Sequence, residues 1–252
     1  MDLAELLNAP VRQGSSLEEI DHRPWPLPDR PWVIGQTLED LLFAHWRVDP
    51  DVLRPHVPAR LAIDEHDGSA WIGVTAFAVS GLRARGTLPL PYVSSFGQLN
   101  VRTCVTLDNR PGIWFFSLDV SSRVAALAAR RMYRLPYYRA DITFDRTDER
   151  VLYECVRSEE NAFSCAYRGL GSPSPPAAGS LEHFLVERYC LYAQHGGRLF
   201  RAEIHHRPWP LEQAEASIDL NTMPPGGLSV DAEPIVHFSG RQDVVIWPLH
   251  AV

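Results

Sequence analysis

Lysine is absent from this chain of 252 residues: all 24 of its Lys+Arg residues are arginine. With no side-chain primary amine, a lysine Schiff base, a phosphate-loop lysine and a lysine general base are all excluded. Arginine, alanine and proline in lysine's place are what a GC-rich coding sequence produces, so the absence has a compositional origin and a chemical consequence. Cysteine is scarce as well. Cys104, Cys155, Cys165 and Cys190 show no CxxC or other metal-ligand spacing, which favours reduced, buried thiols in a cytoplasmic setting over a disulfide framework. No long hydrophobic run occurs; the most apolar stretch, Ala70 to Leu82, is too short and too interrupted to span a bilayer. The opening Met1-Asp2-Leu3-Ala4-Glu5 is acidic and lacks the basic and apolar regions of a signal peptide. A serine nucleophile elbow, a glycine-rich nucleotide loop and an HExxH zinc motif are also missing.

What is present fits a globular protein. At 45% hydrophobic and 22% charged residues, the chain can bury a full core. A net charge of -7, with the arginines scattered, argues against a nucleic-acid surface. Strand-like runs fall at Trp32–Trp46, Ala70–Leu82, Phe96–Leu107, Ile113–Asp119, Tyr137–Phe144, Val151–Arg157, Ala162–Tyr167, Tyr189–Gln194 and Arg198–His205. Asp67-Gly68, Asn109-Arg110-Pro111-Gly112 and His195-Gly196-Gly197 supply turn chemistry between them. Gly169 to Gly179 reads as an exposed loop. Asp49 caps a short helix running from Pro50 toward His56, Ser121 or Ser122 caps Arg123–Met132, and Ser180 opens Leu181–Glu187. Leu211–Ile218 is expected as a late helix. Hairpins with isolated helices predict an α+β fold, mainly antiparallel β, with sheets curled into a barrel or cone. Residues 1–20 read as an N-terminal extension and residues 21–252 as one domain.

His22-Arg23-Pro24-Trp25-Pro26-Leu27 recurs at His206-Arg207-Pro208-Trp209-Pro210-Leu211. The flanking sequences differ, so the repeat is read as two stiff, tryptophan-anchored strand exits rather than a duplication.

Six segments, in order, carry a family resemblance. They are Leu42-Phe43-Ala44-His45-Trp46, Phe96–Thr103, Trp114–Asp119, Leu135-Pro136-Tyr137-Tyr138-Arg139-Ala140, Glu187–Tyr192 and His205–Leu211. Together they resemble a bacterial family of unknown function described as YqjF-like, within the acetoacetate decarboxylase-like superfamily. The resemblance spans about residues 20 to 250. It implies antiparallel sheets curled around a central polar cavity, with a few flanking helices. In acetoacetate decarboxylase an activated lysine amine attacks a ketone. The Pro-Lys-Lys step that provides it corresponds here to Pro136-Tyr137-Tyr138, and the family's strand motif tends to carry glutamate where this chain has Gln98. The decarboxylase mechanism is therefore not expected here.

The residues at those positions retain chemical content. Alternation along Phe96–Cys104 directs Gln98, Asn100, Arg102 and Cys104 to one face. Taken alone this is a solvated polar face; with the family's cavity it becomes a pocket wall. Arg102 would pair with a substrate carboxylate while Asn100 and Gln98 orient a carbonyl. Tyr137 and Tyr138 alternate, so at most one faces the pocket as an acid–base group. Glu187, beside Arg188, is either a proton-transfer carboxylate or a structural ion-pair partner. Asp119 reads as a helix cap or arginine partner. His45 is either a pocket residue or a satisfied core histidine. His183 with Glu187, and His205-His206, do not make a metal set, because adjacent strand histidines point apart. No metal or cofactor is expected.

The reading is a cytoplasmic protein whose partner is a small organic acid or carbonyl compound, with no nucleic acid or membrane partner and a homo-oligomer left open. It is either a lysine-independent lyase, hydratase or isomerase or a non-catalytic ligand-binding protein on the same fold. A module interacting with proteins through Trp/Pro-rich surfaces is a third, weaker alternative.

Overall fold

The structure, a computed structural model, describes residues 3–90, 94–147, 150–226, 228 and 230–252. Its strands are β1 Ile34–Val48, β2 Ala62–Ile63, β3 Ala70–Ala84, β4 Phe96–Leu107, β5 Arg110–Val120, β6 Tyr137–Arg139 and β7 Asp141–Arg146. They continue with β8 Val151–Ser158, β9 Asn161–Ser174, β10 Cys190–His195, β11 Arg198–His205, β12 Leu211–Asn221, β13 Ile235–Ile246 and β14 His250–Ala251. The helices are α1 Leu3–Ser15, α2 Pro50–Leu53, α3 Arg123–Tyr133 and α4 Leu181–Val186.

The strands pair in the order β11-β10-β5-β4-β3-β1-β13, and β13 pairs back onto β11 through Ile204↔Ile246 and His205↔Val245. That last pairing closes a ring, which removes the exposed sheet edges an open sheet would present. All neighbours in the ring run antiparallel except β5 and β10, joined in parallel at Leu191↔Ile113 and Tyr192↔Trp114. From β13 the sheet continues outward as β12-β9-β8-β7 and folds over the back of β1, β3 and β4. The fold is the mainly antiparallel, curled α+β architecture expected from the sequence.

Two cores follow from this arrangement. One fills the barrel interior with Phe43, Phe77, Phe115, Leu118, Val186, Leu191 and Trp209. The other lies between the barrel wall and the outer sheet and holds Leu42, Ile72, Val74, Leu99, Val101, Tyr153, Phe163 and Tyr167. Strands buried on both faces read as continuous apolar runs rather than alternating ones. This accounts for Ala70–Val79, of which only Ala78 is not fully buried.

The turns follow their chemistry. Asp67-Gly68 and Gly196-Gly197 have positive φ (52° and 71°; 57° and 74°), as two-residue hairpin turns require. Between β4 and β5 the positive-φ pair is Asp108-Asn109, at 52° and 57°, so β5 already begins at Arg110. Asp49 accepts from Asp51 N at 2.9 Å, Ser122 from Ala125 N at 3.2 Å and Ser180 from His183 N at 3.2 Å, each capping its helix.

Three expectations need correction. Leu211–Ile218 is not a helix: Leu211–Asn221 is β12, paired with β9 from Leu211↔Ser174 to Asn221↔Phe163. Its Glu, Gln and Ala residues favour a helix, but Leu211, Ala214, Ala216 and Ile218 cover apolar residues of the sheet, and tertiary packing overrides weak propensity. Tyr137–Phe144 is broken at Ala140, because Tyr137–Arg139 pairs with β5 while Asp141–Arg146 pairs with β8. The first part of the expected 169–179 loop is strand, since β9 runs on to Ser174. Residues 1–20, read as an extension, contain α1, which packs on the barrel. Gln13, fully buried, donates to Gly81 O at 3.1 Å and accepts from Arg83 Nε at 2.8 Å, and Ala9 is equally buried. Gly35 makes room for Gln13, since a Cβ there would lie 2.3 Å from the Gln13 amide oxygen.

The two His-Arg-Pro-Trp-Pro-Leu segments meet in space. His22 lies 2.9 Å from the carbonyl of His206, and Trp25 donates to Glu203 at 2.7 Å. Glu203 is buried among three arginines, with Arg201 Nε at 3.2 Å, Arg110 at 3.3 Å and Arg23 at 3.6 Å. Glu203, alternating with the interior residues Ala202 and Ile204, ties the 22–27 segment to the outer side of β11.

Candidate active site

The β4 alternation determines what the barrel encloses. Gln98, Asn100 and Arg102 project into its interior, whereas Leu99 and Val101 enter the outer core. They line a cavity of about 100 Å³ together with Gln36 from β1, Tyr137 from β6, Arg188 after α4, and His206 and Trp209 after β11. Across Gln36, Gln98 and Tyr137 lies a second chamber of about 480 Å³, reaching α3 and the segment after β3.

Arg102 is the central charge. Its Nη2 donates to Leu185 O at 3.2 Å, and its guanidinium carbon sits 5.4 Å from the centre of the Phe43 ring. No carboxylate pairs with it among the described residues. Burial lowers its pKa from 12.5 to about 10, the neighbouring Arg188 adding to the effect, so the group is charged at neutral pH. Of five N–H donors only one has a protein acceptor, and the remaining nitrogens are not sealed from the cavity. Arg188 differs: it donates to Asp64 at 2.5 Å and to Phe184 O at 2.7 Å. Of the two guanidiniums on the cavity wall, only that of Arg188 is paired with a carboxylate among the described residues.

The other polar groups are tied to one another. Gln98 Nε2 donates to Asn100 Oδ1 at 2.9 Å, which leaves the Asn100 amide nitrogen for other acceptors. Burial pushes the Tyr137 phenol up to about 12, with its hydrogen bond to Gln98 acting in the opposite direction, so Tyr137 is a neutral hydroxyl at physiological pH. Of the tyrosine pair, Tyr138 faces outward, 39% exposed, with the Arg157 guanidinium 4.5 Å from its ring centre.

Glu187 is not part of the cavity wall. Its carboxylate accepts from Trp209 N at 2.8 Å and from the Tyr189 hydroxyl, and it holds the α4–β10 junction to the strand exit at Trp209. Asp119 is fully buried and pairs with Arg157 at 3.2 Å, the arginine-partner alternative; Ser122 provides the cap. His45 lies on β1 opposite Gly73, which in turn faces Arg102 on β4. A Cβ at Gly73 would stand 2.8 Å from the His45 ring, so glycine is what allows the imidazole to stack there. Burial, reinforced by Arg102 and His237, holds His45 neutral, and neither ring nitrogen has a hydrogen-bond partner. His205 and His206 point apart: His205 lies 2.8 Å from Ser16 O, and His206 lines the cavity, stacked on Tyr189. No group of His, Cys, Asp or Glu side chains suited to a metal occurs among the described residues.

Sequence reasoning grouped Gln98, Asn100 and Arg102 with one of Tyr137 and Tyr138, without deciding which; Tyr137 is the one that lines the cavity. It did not place Gln36, Arg188, His206 or Trp209 at the cavity. Gln36 had a usable signal, as the one polar position in the alternating series Ile34, Gln36, Leu38. The others arrive from segments some 90 to 110 residues away, and no local pattern marks them.

A curled, mainly antiparallel ring of strands with a few helices matches the fold of the acetoacetate decarboxylase-like proteins. The acetoacetate decarboxylase of Legionella pneumophila superposes with a TM-score of 0.64 at 11% identity, covering 94% of each chain. The enduracididine biosynthesis enzyme MppR, complexed with the condensation product of pyruvate and imidazole 4-carboxaldehyde, gives 0.63 at 13%, over 88% of this chain and 90% of that one. An acetoacetate decarboxylase-like enzyme from Sphingomonas wittichii RW1 gives 0.61 at 17%, over 92% and 97%. At such identities the similarity speaks to fold. The chain itself belongs to the DUF2071 family of uncharacterized conserved proteins, whose profile matches residues 35–243. It is 41% identical over 227 residues to the uncharacterized protein YqjF of Bacillus subtilis strain 168, covering 88% of this chain and 94% of that protein. No helix among the described residues is long and apolar enough to cross a membrane.

Proposed function

We propose that this protein binds a small organic carboxylate bearing a carbonyl or hydroxyl group and transforms it without a lysine adduct, as a lyase, hydratase or isomerase. The observation carrying this reading is the charged, partly buried Arg102 guanidinium, with no carboxylate paired to it among the described residues. A buried charge is costly unless paired, and a planar fork of donors facing a cavity suits a ligand carboxylate. Asn100 and Gln98 then orient the neighbouring oxygen. Tyr137, neutral and within the same hydrogen-bonded group, donates to that oxygen as negative charge develops on it. Tyr138 and Glu187 have no direct part in this scheme.

One observation favours binding without turnover. Asp64 is engaged by Arg188, and Glu187 by Trp209 N and the Tyr189 hydroxyl, so neither offers a free carboxylate and a general base must come from a neutral side chain such as His206.

The test is a panel of 2-oxo, 3-oxo and hydroxy acids, with thermal melts for binding and proton NMR for turnover. Stabilisation with conversion supports the enzyme, and stabilisation without conversion supports the binding protein. A panel that neither stabilises nor reacts removes the reading. Borohydride added with pyruvate is expected to leave no adduct on any side chain.

A further inference from the structure

The proposed chemistry uses only the inner, polar chamber. The outer one is almost five times larger, about 480 Å³ against about 100 Å³, and its wall is chiefly hydrocarbon: Leu82, Leu90, Val124, Ala129, Met132 and Leu135 among others. The two chambers share Gln36, Gln98, Leu135, Tyr137, Leu191 and Ile246, so the outer one begins where the carboxylate site ends. Its rim opens to solvent, with Leu90 64% and Val124 63% exposed. The cation on its wall, Arg83, is already engaged by Gln13 at 2.8 Å, Pro10 O at 3.2 Å and Thr87 O at 3.3 Å. Arg102 is therefore the anion anchor, and the wall outward from Tyr137 offers chiefly hydrocarbon contact.

We infer that the preferred ligand is an amphiphile: an oxo or hydroxy acid whose carboxylate sits at Arg102 and whose unbranched or aromatic tail fills the chamber beneath α3. A two- or three-carbon acid would leave this space unused, and ligand sites of this kind are lined largely by apolar side chains with few fixed polar groups. The inference rests on the reading of Arg102 as a carboxylate anchor and adds the chain.

Straight-chain 2-oxo acids from pyruvate to 2-oxodecanoate, kept below their micellar concentrations, test it by calorimetry on the wild-type protein and two variants. Burying each added methylene is expected to tighten binding about fourfold until the tail reaches the rim. Ala129→Phe, which fills the chamber from α3, is expected to flatten this series while leaving pyruvate binding as in the wild type. Met132 is half-exposed, so Met132→Asp is tolerated by the fold, and its carboxylate in the wall should flatten the series as well. Arg102→Leu should weaken every member by a similar factor and preserve the slope. A series already flat in the wild type, with pyruvate still bound through Arg102, overturns the amphiphile inference and spares the carboxylate site. A slope that survives both chamber substitutions overturns the assignment of the tail to this space. Equal binding by wild type and Arg102→Leu overturns the carboxylate reading itself.

Discussion

Replacing Arg102 by leucine separates a functional guanidinium from a structural one, because the two roles predict opposite signs of stability change. In the unliganded protein, lowering the Arg102 pKa from 12.5 to about 10 corresponds to a penalty of order 3 kcal/mol for keeping the group charged at neutral pH. Against it stand one charge-assisted hydrogen bond to Leu185 O and the Phe43 contact. Leucine removes the penalty, fills much of the same volume among Phe115, Val186 and Leu191, and leaves no carboxylate unpaired. The expected result is an unchanged or slightly raised stability, up to about 2 kcal/mol, which for a chain of this size is a rise in Tm of about 4–8 °C. Binding should move the other way. Truncating one side of a buried, hydrogen-bonded charge pair costs about 2–5 kcal/mol, so carboxylate affinity should fall at least roughly thirtyfold. Scanning calorimetry of the two proteins, each with and without a 2-oxo acid, reads both effects. If Arg102→Leu instead unfolds several kcal/mol more easily and binds ligand as before, the guanidinium is a structural tie and the argument from its missing partner is refuted.

The remaining predictions concern other buried groups. Glu203→Ala should destabilise by about 3–5 kcal/mol in chemical denaturation, because Arg23, Arg110 and Arg201 would lose their shared carboxylate. Burial raises the Asp119 pKa from 3.8 to about 6 despite Arg157 and Ser117. Its contribution to stability is therefore fully present below pH 3.8 and is lost as pH rises through about 6. Asp119→Asn should flatten that part of the stability–pH curve, and denaturant midpoints between pH 4 and 7 would show it. Tyr137→Phe should leave the fold within about 1 kcal/mol of wild type and lower any turnover by about 10²-fold, with a smaller change in carboxylate affinity, as expected of a donor to developing charge. Equal losses in binding and rate would make Tyr137 an orienting contact only.

The sequence alone determined the chemistry that is excluded and much of the local structure. Zero lysines rule out a side-chain iminium whatever the fold. The period-two pattern of Phe96–Cys104 places Gln98, Asn100 and Arg102 on one side of a strand, because alternation is a property of the extended backbone itself. Caps at Asp49, at Ser121 or Ser122, and at Ser180 were legible for the same reason: a side chain bonding a nearby N–H is a local event. What only the tertiary structure decided depends on partners distant in the chain. The polar side of β4 could have faced water, and it faces a cavity because β11 returns to pair with β13 and closes the ring. Glu187 could have been a free acid, but folding brings Trp209 and Tyr189 to its oxygens. Leu211–Asn221 has the composition of a helix and becomes a strand, because the growing sheet offers an open edge and apolar surface to cover. Arg102 shows the division most plainly. Its direction was set by its place in a strand, and its lack of a carboxylate partner by where Asp64, Asp119 and Glu187 come to rest.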